Sequence, residues 1–100
     1  MENSATTSSA TLINKEDVAG LNFPPIEVLN SKDDKLKLYE KLKQATILGN
    51  IDHSKIRIVF EDNQGRKMIE TTIWATGEKN IVLKQGITIP IHRIIEINFF

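Results

Sequence analysis

From Lys55 onward apolar residues recur at every second position, and most of them are isoleucine. Thirteen of the 51 residues from Ile47 to Ile97 are isoleucine, a density that suits a narrow β interior filled by branched side chains. Period two with short polar interruptions is the pattern of antiparallel strands. Ile56, Ile58 and Phe60 alternate with Arg57, Val59 and Glu61, which predicts a strand with the first three turned inward. Asp62-Asn63-Gln64-Gly65 reads as a hairpin connection, with glycine at the left-handed position. Arg66 to Thr76 reads as one long strand whose two faces are both mixed, as in a strand that bends between two halves of a barrel. Thr76 to Asn80 turns the chain into Ile81–Lys84, and Gln85-Gly86 turns it again into Ile87–Ile89. Pro90 lacks an amide hydrogen, so it ends that strand or marks an edge. Ile91-His92-Arg93 forms a helical turn before a last strand from Ile94 to Asn98.

Ahead of the strands the period changes. Ser31 and Asp34 stand in capping-box spacing, and Leu38, Leu42 and Ala45 share one helical face, with Tyr39 and Thr46 on its flank. Lys35, Lys37, Lys41 and Lys43 fill much of the remaining circumference, as a solvated face or as one that meets phosphates. Gly49-Asn50 supplies the expected stop. Residues 1–22, rich in Ser, Thr and Ala, read as a disordered tail, because so few large apolar groups cannot offset the entropy of ordering. Residues 23–30 read as a proline-containing extended linker. It either lays Phe23, Ile26 and Val28 on the domain surface or docks onto another protein. Residues 31–100 then form the folded unit, mainly β, with an N-terminal helix followed by a five-stranded antiparallel small barrel.

Composition narrows the chemistry. Thirteen basic and thirteen acidic residues cancel, although residues 1–30 carry −3 and residues 31–100 carry +3. That excess is too small to choose a partner. The absence of cysteine excludes disulfides and thiolate chemistry in this chain, and no stretch resembles a signal peptide or a transmembrane helix. A cytoplasmic location without a membrane partner is the expectation. The two histidines, His53 and His92, lack zinc-type spacing, and the carboxylates Glu61, Asp62, Glu70, Glu78 and Glu96 match no acid–base pair. The five glycines lie apart and form no phosphate loop. No enzyme, metal or cofactor is expected. Trp74 offers a stacking surface if its face meets solvent, and otherwise closes one end of the core. Arg57, Arg66, Lys67 and Arg93 could make a basic rim, interrupted by Glu61, Asp62 and Glu70.

One helix followed by five short, bent strands resembles the plan of the Sm-like barrels, a branch of the SH3-like small barrels. Asn80-Ile81-Val82-Leu83 is similar to part of the first Sm motif, whose turn and Asn contact an RNA base, and Gln85-Gly86 to the second. Lys79 stands where those proteins favour an apolar or aromatic residue, and Thr76 where they usually carry Asp. Ile89-Pro90-Ile91-His92-Arg93-Ile94 is also similar to the end of barrels in the Rho-modulating Rof family. The resemblance implies RNA contacts at Lys79, Asn80 and Gln85, to which Trp74, Arg57 and Arg93 are added from their chemistry. It also implies self-association through apolar edges such as Ile87–Ile89 and Ile94–Phe100, unless the helix or the Phe23–Leu29 segment covers them. The expected function is a regulatory small-barrel binding module that contacts RNA or a nucleic-acid-associated protein. The alternative is a protein–protein adaptor with no nucleic-acid role.

Overall fold

Period two is realised where it is expected. The computed structural model describes residues 10–100, so the first nine positions of the expected tail fall outside it. Its strands are β1 (Thr11–Leu12), β2 (Ile56–Asp62), β3 (Gly65–Thr71), β4 (Ile73–Thr76), β5 (Asn80–Leu83), β6 (Thr88–Pro90) and β7 (Ile94–Phe99). They form two sheets, in orders β1-β3-β2-β7 and β4-β5-β6. Among the described residues one α-helix, α1 (Lys32–Asp52), precedes the second strand. The protein is mainly β with one long helix. The two sheets share one isoleucine-rich core but are not closed by hydrogen bonds into the expected barrel.

Ile56, Ile58 and Phe60 are fully buried in that core, and β2 is the central strand of its sheet, paired with β3 and β7. The expected strand from Arg66 to Thr76 is two strands, broken at Thr72, with Ile69, Thr71 and Ile73 facing inward. The break moves the chain from one sheet to the other. Lys84 donates its amide to the Thr72 carbonyl, and the Thr72 hydroxyl donates to the carbonyl of His53. Pro90 both ends β6 and lies on an edge strand, where its missing amide hydrogen costs nothing.

The start of α1 is as expected: the Asp34 amide donates to Ser31 Oγ at 3.3 Å. Its end is not. The helix passes Gly49-Asn50 and stops at Asp52, capped by His53 in the left-handed conformation (φ 59°). Gly49 serves a contact instead, because a Cβ there would lie 2.4 Å from the Ile73 carbonyl oxygen. This approach brings polar side chains of the helix onto β4, an edge strand. Asn50 donates to the Trp74 carbonyl at 3.1 Å, and the hydroxyls of Thr46 and Thr76 meet at 2.7 Å. An open edge is thereby covered by the helix of the same chain.

Residues 10–22, the described part of the segment read as a disordered tail, pack against the domain. β1 pairs in parallel with β3, the Ile13 amide donates to the Met68 carbonyl at 3.0 Å, and a 3-10 turn over Lys15–Gly20 buries Val18. A few apolar side chains suffice here because they join a core that other elements have already built. The segment from Phe23 to Leu29 is likewise fixed. Phe23 packs on Phe60 with ring centroids 5.9 Å apart, and Leu29 packs on the core. Ile26, expected to lie on the surface of the domain, instead points outward and is 73% exposed. Among the described residues, no helix is long and apolar enough to cross a membrane.

Candidate functional site

Tight turns at one end of the second sheet carry Lys79, Asn80 and His92 to the same place. Gly77 donates its amide to the Asn80 carbonyl at 2.8 Å, closing the turn between β4 and β5. Asn80 pairs with Pro90 across β5 and β6, and the Ile91 amide donates to the Lys79 carbonyl at 2.8 Å. The 3-10 turn after β6 (Ile91–Arg93) is thus fastened to the β4–β5 turn.

Between these turns, the first half of α1 and the Pro25–Leu29 segment lies an open groove of about 730 Å³. Lys32, Lys35 and Tyr39 line it from the helix, with Glu78, Lys79, Asn80 and His92 from the turns. Lys35 is paired with Glu27. Lys32 and Lys79 have no ion-pair partner among the described residues. Tyr39 is 36% exposed, and Lys43 Nζ lies over one side of its ring, 5.5 Å from the centroid. Pro25, Leu29, Leu36, Pro90 and Ile91 supply an apolar floor. Such a groove suits a flat, partly apolar ligand with negative charge at its margin.

The wall formed by the proline segment is held by two residues of the turn. The Pro24 carbonyl accepts from His92 Nε2 at 2.9 Å, which assigns the hydrogen to that nitrogen, and the Val28 amide donates to the His92 carbonyl at 3.0 Å. Arg93 is buried. It donates to the carbonyls of Glu61 and Ile26 and lies 3.7 Å from the Glu61 carboxylate. Its guanidinium is committed to holding the fold, so the expectation of a ligand contact at Arg93 is withdrawn.

Of the six residues singled out from the sequence, only Lys79 and Asn80 line the groove. Gln85 is exposed with φ 70°, in the turn at the far end of β5. Three strand residues, Ile81 to Leu83, and the turn residue Lys84 separate it from Asn80, with about 10 Å of that path being strand, so the two motif-like pieces face different ends of the sheet. Arg57 donates through Nε and Nη2 to the Glu70 carboxylate, and its guanidinium lies 5.4 Å from the Phe100 ring centroid. Trp74 is half-buried on β4, with the His53 ring edge-on at 5.3 Å, and lines no part of the groove. Tyr39, Lys32, Lys35 and His92 were not singled out. The helical flank of Tyr39 and the lysine-rich face were visible, but their junction with a turn some forty residues later was not.

Among the described residues, no three His, Asp or Glu side chains converge as a metal site. No protein-family model, no curated protein and no solved structure matches the chain.

Proposed function

We propose that this protein is a regulatory binding module that holds a short stretch of single-stranded RNA in the groove at the β4–β5 turn. The observation that carries the reading is the convergence of Lys79 and Asn80 with Tyr39 and Lys32 around one open groove. A base stacks on Tyr39, the Asn80 amide reads its edge with one donor and one acceptor, and Lys32 and Lys79 neutralise phosphates. Stacking of this kind is worth about 1–3 kcal/mol per base, which is enough to fix one nucleotide. The Sm-like reading of the fold belongs to the same proposal. It is supported by one helix, a chain that passes from one sheet to the other at Thr72, and a 3-10 turn before the last strand. In that reading copies would pair through edge strands such as β6 and β7.

The test is fluorescence anisotropy with a labelled single-stranded RNA of about 10 nucleotides and mixed sequence. Two phosphate contacts imply that a fourfold rise in salt weakens binding about sevenfold. The double variant Lys79→Ala, Asn80→Ala is expected to weaken it about tenfold or more. Unchanged affinity in that variant removes the groove as the RNA site. The apolar floor favours a second reading, a protein–protein adaptor that takes an apolar peptide in the same groove. Its mark is binding that survives high salt.

A further inference from the structure

The outer face of α1 carries a pattern that the core does not use. Leu38, Leu42, Ala45 and Gly49 turn inward and are buried. On the opposite side, at spacing i, i+4, i+7, i+11 and i+15, stand Leu36, Glu40, Lys43, Ile47 and Ile51, all exposed. Leu36 and Ile47 are each 59% exposed and Ile51 is 74% exposed. Single exposed apolar residues are ordinary on a protein surface, but three in register with two opposite charges on one helical stripe form an ordered face.

The order of this stripe identifies what covers it. In an antiparallel pair of these helices, related by a two-fold axis passing between Lys41 and Leu42, Leu36 of one copy faces Ile47 of the other. The same axis sets Glu40 against Lys43, and each contact occurs twice. One surface thus complements itself in both apolar contact and charge, as a two-fold interface requires. A parallel pair would set Glu40 against Glu40 and Lys43 against Lys43, which is repulsive. We propose that the outer face of α1 is a self-association surface, joining two copies of this chain through antiparallel helices. This surface is separate from the strand edges β6 and β7. It adjoins the groove, whose lining includes Leu36 and Lys32, but association of copies in the absence of nucleic acid does not depend on RNA binding.

Sedimentation velocity of the whole chain over a concentration series, without nucleic acid, tests the proposal. Wild type is expected to show a monomer–dimer equilibrium, and Ile47→Glu to remain monomeric at every concentration. Glu40→Lys turns two attractive pairs into repulsive ones and is expected to weaken the dimer about tenfold, while Glu40→Lys with Lys43→Glu restores it. The substituted positions are all exposed, so thermal melts of the variants at low concentration are expected to superpose on the monomer's. A wild-type chain that stays monomeric overturns the proposal. So does a dimer that tolerates Ile47→Glu, or one that the paired charge swap fails to recover. Failure of the RNA titration would leave these outcomes untouched.

Discussion

Asp62 closes the β2–β3 hairpin with a buried carboxylate. Its oxygens accept from the amides of Gln64 and Gly65 and from Lys67 Nζ at 2.9–3.1 Å. Burial by itself would raise the Asp62 pKa. The hydrogen bond from Lys67, the two amides and the lysine charge outweigh it and hold the group below its ordinary 3.8. The folded state therefore favours the carboxylate over the acid. The stabilisation is complete well above pH 3.8, declines as pH falls through that value, and is gone below the lower folded-state pKa. Asp62→Asn is expected to cost about 1–3 kcal/mol at pH 7 by urea unfolding, since Lys67 is left half-buried beside a neutral amide. The gap between variant and wild type should shrink when the same measurement is made below pH 3.8. A gap of the same size at both pH values would show that the carboxylate charge contributes nothing.

At the scale of elements, the joint between α1 and β4 sets the architecture. Alanine is a better helix former than glycine by about 1 kcal/mol, so propensity alone predicts that Gly49→Ala stabilises. The new methyl would sit 2.4 Å from the Ile73 carbonyl oxygen and 2.9 Å from Thr72 Cγ2, and the carbonyl belongs to backbone that cannot rotate aside. Overpacking of this kind costs about 1–3 kcal/mol, so the expected sign is destabilising, read as a lower urea midpoint. The same residue shows why parts of the fold were hidden in the sequence. A glycine near the end of a helical pattern satisfies a local stop rule, and only the strand some twenty residues later reveals its other use. The strands themselves were legible because alternation is local: Ile56, Ile58 and Phe60 declare their face without reference to a partner. The break at Thr72 was visible only as a strand with two mixed faces. The candidate site divided in the same way. Lys79 and Asn80 sit on a turn that the sequence marks plainly, whereas Tyr39 and Lys32 reach it by the packing of a distant helix. Gln85 was drawn in by motif resemblance, and the length of β5 carries it away.

Across the whole molecule, the described N-terminal stretch is structural. Val18 is 2% exposed, Ile13 and Leu21 pack against the same core, and the Asn22 carbonyl accepts from the Asn63 amide at 2.9 Å. Burying a valine contributes about 1.5–3 kcal/mol, and 1 kcal/mol shifts Tm by roughly 4–8 °C at this size. A chain starting at Asn22 is therefore expected to melt about 10 °C lower than the full chain in calorimetry. An unchanged Tm would mean that the segment adds nothing to the folded state. Composition concealed this role, because a two-residue parallel pairing has no local signature and its partner lies more than fifty residues away. The same layout has an optical consequence. Trp74 is the chain's single indole, and it sits against the residue that caps α1 rather than near β1. Release of the N-terminal stretch leaves its surroundings in place, whereas departure of the helix end strips away the imidazole and wets the ring. Fluorescence emission therefore shifts to longer wavelength only in the second event, and one natural fluorophore distinguishes fraying at one edge from opening of the central joint.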